Sequence, residues 1–382
     1  HSQATMFSHC GLTPQQFLDG YWQRKPLLIR QAFPDFQPEL DRDDIAGLAC
    51  EELAESRLIT GSYPEHDWQL RYGPFSETDF AEMPECNWTL LVQDVEKHYP
   101  PLSGLMSRFD FIPRWRIDDL MASVAGPGGS VGPHVDQYDV FLIQAEGSRT
   151  WAIAHSYEDE LLPDCELNVM RSFTPEQQWT LQPGDALYLP PGVAHHGVAL
   201  NSGMTWSVGM RAPSAADLFQ AFGEWSAEQP GDGGRYRDRG LKVSRCAGRV
   251  GPDAIARFEQ FFQSTGAGSP GFSSFLGSFL SSYRLAHEPA PPDVLFDPSS
   301  LGEVLKNGGS LKHNPWTRLL WLQHDDGASL FAAGTEFPCP AALAETVCDP
   351  GLLSRLKAGT SASDLELLCE LLNRGHLYVE QL

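Results

Sequence analysis

A His134-Val-Asp136 triplet, with His195 far downstream, brings together the residue types that bind a redox-active metal. In an extended strand alternate side chains share a face, so His134 and Asp136 can grip one ion. A third ligand from a distant strand completes two imidazoles and a carboxylate on one face of an octahedron. Positions then stay open for a co-substrate and dioxygen, which suits non-haem Fe(II). Alone, the triplet equally describes a His-Asp pair in a turn with His195 unrelated, so neighbouring residues must carry the argument. His195 and His196 compete for the third position, because adjacent strand residues face opposite ways. The other histidines, among them His66, His98, His155, His313 and His324, lack ligand-like spacing.

Strand parity extends the set. If His134 and Asp136 face inward, Tyr138 does too, at the rim. Arg149 stands at the start of a strand, before Thr150-Trp151. An arginine inside an apolar barrel is costly unless an anion meets it. Its planar guanidinium can pair with a carboxylate through two parallel hydrogen bonds, as the far end of 2-oxoglutarate requires. The alternative is a surface arginine on a hairpin. Ser123 could donate to the same carboxylate or simply bond the backbone, and Asp119 and Met121 share its face. Asp118 and Asp119 are candidates to hold a cationic substrate side chain, or they form a solvated acidic turn.

The elements that must position these groups are short. From 57 to 211, Gly, Pro and Asp punctuate strand-like runs at 68–72, 88–93, 117–125, 139–144, 150–154, 186–189 and 205–210, predicting an antiparallel barrel or jelly roll. Pro183-Gly184-Asp185 and Pro190-Pro191-Gly192 bracket the strand before His195. Ahead of this, Thr13-Pro14 opens a helix carrying Phe17, Leu18, Tyr21 and Trp22, residues 25–30 read as a strand, and 41–56 as a helix. Beyond 212 the pattern turns helical at 215–229, from 252 and at 273–283, with a Gly/Arg-rich loop at 231–240. The aromatic surface of these helices fits packing against another subunit or an intrachain core. After the stiff segment 288–292, helices at 301–306, 341–347 and 364–373 and strands at 319–322 and 329–332 fit a winged-helix-like unit, structural or protein-binding.

At 382 residues, two or three domains are expected. The formal net charge of −23 disfavours direct nucleic-acid binding and suits a basic protein partner. No run of about 18 apolar residues predicts a membrane span, and no basic-then-apolar leader is expected. The eight cysteines form no CxxC pair and suit a reducing cytoplasm.

The segments WQRKPLLIRQAF, NWTLLVQDVEKH, WRIDDLMASVAGPGGSVGPHVDQYDVFLIQAEGSRTW, PGDALYLPPGVAHHGVAL and SVGMRAP resemble the Jumonji-C branch of Fe(II)/2-oxoglutarate oxygenases, in particular its bacterial ribosomal oxygenases. The likeness is close over about 15–213 and looser beyond. It implies His134, Asp136 and His195 as iron ligands, the last because it follows PPG by the family's interval. It also implies Arg149 as the 2-oxoglutarate anchor with Ser123 assisting. Many Jumonji-C relatives carry lysine where Arg149 stands, so the arginine favours the ribosomal group. His196 departs from a relative that has glutamate there. The implied layout is a double-stranded β-helix (jelly-roll, cupin-like) catalytic domain at 1–212, a helical dimerisation region at 213–287 and a winged-helix-like domain at 288–382. The implied reaction uses Fe(II), 2-oxoglutarate and O2 to hydroxylate an arginine of large-subunit ribosomal protein sixteen, releasing succinate and CO2 in a cytoplasmic homodimer. Two rival readings use the same residues: an N-methyl-lysine demethylase, and a catalytically silent metal-binding cupin scaffold.

Overall fold

Among the described residues, turns cut the first half of the chain into twelve strands. The computed structural model describes residues 4–231, 233–243 and 245–381, so Asp232 of the Gly/Arg-rich loop lies outside the described residues. The chain divides into two compact units, His1–Ala212 and Pro213–Leu382.

The strands of the first unit are β1 (Leu27–Ile29), β2 (Ser56–Thr60), β3 (Gln69–Tyr72), β4 (Trp88–Val92), β5 (Ile117–Ala125), β6 (His134–Val135), β7 (Val140–Glu146), β8 (Arg149–Ala154), β9 (Gln177–Leu181), β10 (Ala186–Leu189), β11 (Ala194–Ala199) and β12 (Gly203–Met210). They form an eight-stranded sheet, β1-β10-β7-β12-β5-β4-β2-β3, and a four-stranded sheet, β6-β11-β8-β9. Every pairing is antiparallel.

Alternation along each strand separates two cores. One face of the large sheet sends Leu120, Ala122, Val124, Phe141, Ile143, Trp206 and Val208 against Phe17, Ile45, Leu102 and Phe109 of the helical segments. Each buried Leu, Val, Ile or Phe among them contributes roughly 1.5–3 kcal/mol. The opposite face meets the small sheet, where Val140, Leu142, Leu187 and Leu189 pack with Trp151, Ile153, Leu181 and Val193. Residues between the two sheets therefore line the barrel interior.

The first helix, Pro14–Gly20, starts on a Thr13 capping box as the Thr-Pro pair predicts. The helix expected over 41–56 is shorter. It runs Arg42–Leu48, and Ser56 already begins β2. Its apolar stripe ends there, since Leu53 is 71% exposed. Among the described residues two strands of this unit went unpredicted: Ser56–Thr60 lay mostly outside the runs picked out, and Gln177–Leu181 is polar along much of its length. His134–Val135 and Ala194–Ala199 stand outside those runs too, but their histidines are read as strand residues.

In the second unit, helices Ala215–Glu228, Pro252–Thr265 and Phe272–Ser282 precede a smaller α/β arrangement. Phe222, Trp225, Phe272 and Phe275 cluster, with 5.0 Å between the Phe222 and Phe275 ring centres. Phe219, Ile255, Phe258 and Phe262 remain at least half exposed. The aromatic surface therefore divides between an intrachain core and an open face. Further on, Pro298–Lys306, Ala341–Cys348 and Ala362–Asn373 pack over a three-stranded sheet, Leu319–His324, Gly327–Ala332 and Thr335–Cys339. Among the described residues no helix is long and apolar enough to cross a membrane.

Candidate metal centre

His195 sits in β11, and the register pairs it directly with His134 of β6. Residues paired across strands share a face, so both rings enter the barrel together. Their centroids lie 4.2 Å apart. His196 pairs with Ala152 and turns to the other face, where its ring meets Tyr63 and Phe173. Burial, with Arg149 adding to it, holds that imidazole down at about 4, so it stays neutral. Register thus resolves the competition between the two histidines geometrically.

Asp136 does not share an extended strand with His134, as the triplet had suggested. β6 ends at Val135, and Asp136 lies just beyond it. What holds Asp136 in place is a backbone bond, from Gly192 N to Asp136 O at 2.9 Å. Gly192 belongs to the Pro190-Pro191-Gly192 turn, with φ +82°, and its own carbonyl accepts from Tyr157 Oη at 2.8 Å. One turn therefore positions Asp136 and launches the strand carrying His195.

The Asp136 carboxylate lies 3.6 Å from His134 Nε2 and 3.3 Å from His195 Nε2. Each Nδ1 donates backward to a carbonyl at 2.9 Å, His134 to Gly132 O and His195 to Val193 O. Those bonds aim both Nε2 lone pairs at the space beside Asp136. The three ligand atoms lie within 4.8 Å of one another, the group among the described residues that could hold a metal ion. Burial pushes the Asp136 carboxyl up, but His134 and then His195 outweigh it and hold it far below the usual carboxylate range. Two imidazoles and one carboxylate, open on one side, suit Fe(II) or a similar divalent ion.

Arg149 is 4% exposed and opens β8 on the same inward face as Trp151 and Ile153. It donates Nη2 to Gly197 O at 3.0 Å and lies over the Trp151 ring at 4.9 Å. Its Nε is buried without a hydrogen-bond partner, and among the described residues it forms no ion pair. Burial alone lowers it to about 10, so it keeps its charge at neutral pH. A buried cation with an orphaned donor is a place for an anion. Gly197 makes room for it, since a Cβ there would lie 2.6 Å from Arg149 Nε and 2.5 Å from the Trp151 ring.

Ser123, 8% exposed, pairs with Thr205, which in turn pairs with Gln144. Thr205 Oγ1 donates to Gln144 Oε1 at 2.9 Å, a polar row across three strands that the sequence reading did not single out. Parity along β8 from Arg149 reaches Trp151, whereas Thr205 meets Ser123 only through the register of β12 on β5.

The acidic pair separates. Asp118 is engaged by Arg211, whose Nε lies 3.2 Å from its Oδ1, and its carbonyl accepts from both Arg211 Nη2 and Lys97 Nζ. Asp119 shares the inward face with Met121 and Ser123, and one of its oxygens accepts Asp94 N at 2.8 Å. Burial pushes the Asp119 carboxyl up to about 6 against the pull of Lys97. Across from it in register, Gly209 carries no side chain, and the Tyr138 ring comes 3.8 Å from where its Cβ would sit. Tyr138 is not on a strand, so parity was the wrong reason to place it there. It is 39% exposed, with burial and then the Asp136 charge pushing its phenol up.

Two facing antiparallel sheets with this donor set between them define the JmjC class, and the JmjC domain model matches residues 104–218. A ROXA-like winged helix matches 270–378. The chain is 33% identical over 95% of its length to ribosomal protein uL16 3-hydroxylase of Escherichia coli strain K12, covering 97% of that protein. It also matches the E. coli ribosomal oxygenase YcfD solved with cobalt and 2-oxoglutarate, at TM-score 0.84 and 32% identity over 97% of this chain and 99% of that one. The YcfD complex with cobalt and succinic acid matches at TM-score 0.83 and 33% identity, with the same coverage. The chain belongs to the ribosomal oxygenase family of JmjC proteins.

Proposed function

We propose that this chain is an Fe(II)- and 2-oxoglutarate-dependent dioxygenase that hydroxylates an arginine side chain of ribosomal protein uL16, at carbon 3. The observation that carries it is the buried, unpaired Arg149 cation inside the barrel that also holds the His134, Asp136 and His195 cluster. A metal site alone would fit a silent cupin. A waiting anion site beside it calls for an acidic co-substrate.

His134, Asp136 and His195 would hold the metal, the imidazoles through Nε2 and the aspartate as carboxylate. Fe(II) bound there supplies dioxygen activation and C–H hydroxylation coupled to decarboxylation of 2-oxoglutarate to succinate and CO2. Arg149 binds the distal carboxylate of 2-oxoglutarate, Ser123 donates to it, and Trp151 backs the guanidinium. Asp119 meets the substrate guanidinium while the Tyr138 ring covers its alkyl stem beside the Gly209 gap. Asp118 supports that edge through Arg211 rather than touching substrate. Residues 1–212 form the catalytic domain, 213–287 the dimerisation region of a homodimer and 288–382 the winged-helix-like domain of a cytoplasmic enzyme.

The test is intact-mass analysis of uL16 after incubation with the enzyme, Fe(II) and 2-oxoglutarate. One added oxygen is the expected outcome. Loss of methyl mass with formaldehyde release would instead mark a demethylase, and no mass change with metal bound would mark a scaffold.

A further inference from the structure

The charge of this chain is unevenly spread. Residues 235–249 hold Arg235, Arg237, Arg239, Lys242, Arg245 and Arg249 against the single acid Asp238, leaving 21 basic and 49 acidic side chains elsewhere. All six cations are exposed, and the segment lies between helices Ala215–Glu228 and Pro252–Thr265 with no helix or strand among its described residues. Tyr236 is stacked on Phe258 at 4.1 Å and 7°, which pins the segment to the second of those helices.

We propose that residues 235–243 and 245–249 are a docking strip for the phosphate backbone of RNA. Five of the six cations are arginines, whose forked guanidinium pairs with phosphate through two bonds. The acidic remainder does not cancel the strip. Screening at physiological salt acts over about 8 Å, so a polyanion lying along the strip feels mainly the local charge. Tyr236 has one ring face against Phe258, and the contacts to RNA are made by cations, so binding tracks the backbone without sequence preference. The choice of RNA over another polyanion rests on the ribosomal-substrate reading. A chain with an acidic body and one basic strip is complementary to a basic protein that travels with RNA. The net charge that disfavours nucleic acid over the chain as a whole is reversed within this segment.

The experiment uses the full chain and a labelled single-stranded RNA of mixed sequence, followed by fluorescence anisotropy over a salt series. A variant carrying Arg235→Gln, Arg237→Gln, Arg239→Gln and Arg245→Gln should bind at least about tenfold more weakly at low salt. Its log-affinity against log-salt slope should fall by about 3, at about 0.7 per lost phosphate contact. Lysine at the same four positions should keep most of the binding, which separates charge from any structural damage. Equal RNA binding by wild type and glutamine variant would overturn the proposal. So would equally tight, strip-dependent binding of polyglutamate or of phosphatidylserine vesicles. Hydroxylation of free uL16 is read separately: RNA binding through the strip without hydroxylation removes the functional reading alone, and hydroxylation without RNA binding removes the docking strip alone.

Discussion

At the residue scale, the site is a set of charges whose partners are partly missing, and the predictions follow from that. Arg149 keeps a buried charge with one carbonyl and one aromatic face as company. Arg149→Ala should raise the KM for 2-oxoglutarate by about 100-fold, the scale of about 3 kcal/mol for a charge-assisted pair, while leaving metal affinity nearly unchanged. An unaltered KM would remove it as the anchor. His134→Ala or Asp136→Ala should abolish succinate formation, because an open three-ligand site does not survive loss of one ligand. Asp119 adds a pH signature. Its carboxyl is raised to about 6 by burial, opposed by Lys97 and reinforced by Asp94 and Asp118. The ionised form that attracts a guanidinium therefore grows as pH rises through that value, so the KM for uL16 should fall between about pH 5 and about pH 7. Asp119→Asn should raise that KM and flatten its pH dependence. A pH profile identical to wild type would transfer the role elsewhere.

At the element scale, the decisive pieces are one turn and one strand. The Pro190-Pro191-Gly192 turn was legible as a turn, yet its bond to Asp136 was not, since nothing in spacing tells which carbonyl a distant amide meets. Strand β11 stands outside the strand-like runs, although His195 and His196 are read as strand residues and the strand also carries the Gly197 gap. Its Ala, His and Gly residues lack the branched and aromatic side chains by which strands are recognised. Gly197→Ala tests how tightly this strand packs. The added methyl would press on Trp151 and Arg149. Loss of about 1–3 kcal/mol of stability is expected, with weaker 2-oxoglutarate binding, and thermal unfolding with and without the co-substrate reads both. Full retention of both would mean that the ring and guanidinium can move aside freely.

At the scale of the whole molecule, the open aromatic face bears on assembly. Phe219 and Phe262 are 59% and 63% exposed and touch each other at 6.1 Å between ring centres. Large exposed aromatics grouped on helices are unusual for a lone chain. Replacing both with glutamate should convert a dimer into a monomer in light scattering, with the first unit still able to bind 2-oxoglutarate. A wild-type chain that runs as a monomer would sink the dimer reading at once.

The turn residues and the change of period near 212 point to a barrel followed by helices, and the longer segments around His134, Asp136 and Arg149, through their family resemblance, point to a metal inside it. These are local properties, written in short windows of sequence. Tertiary structure decided what depends on register and on meetings between distant segments. It turned His195 inward and His196 outward, tied Asp118 to Arg211 while leaving Asp119 toward the interior, and brought Tyr138 beside Gly209 from a bend rather than a strand. A one-residue slip in a strand reverses every side chain, and only the paired neighbour chooses the register.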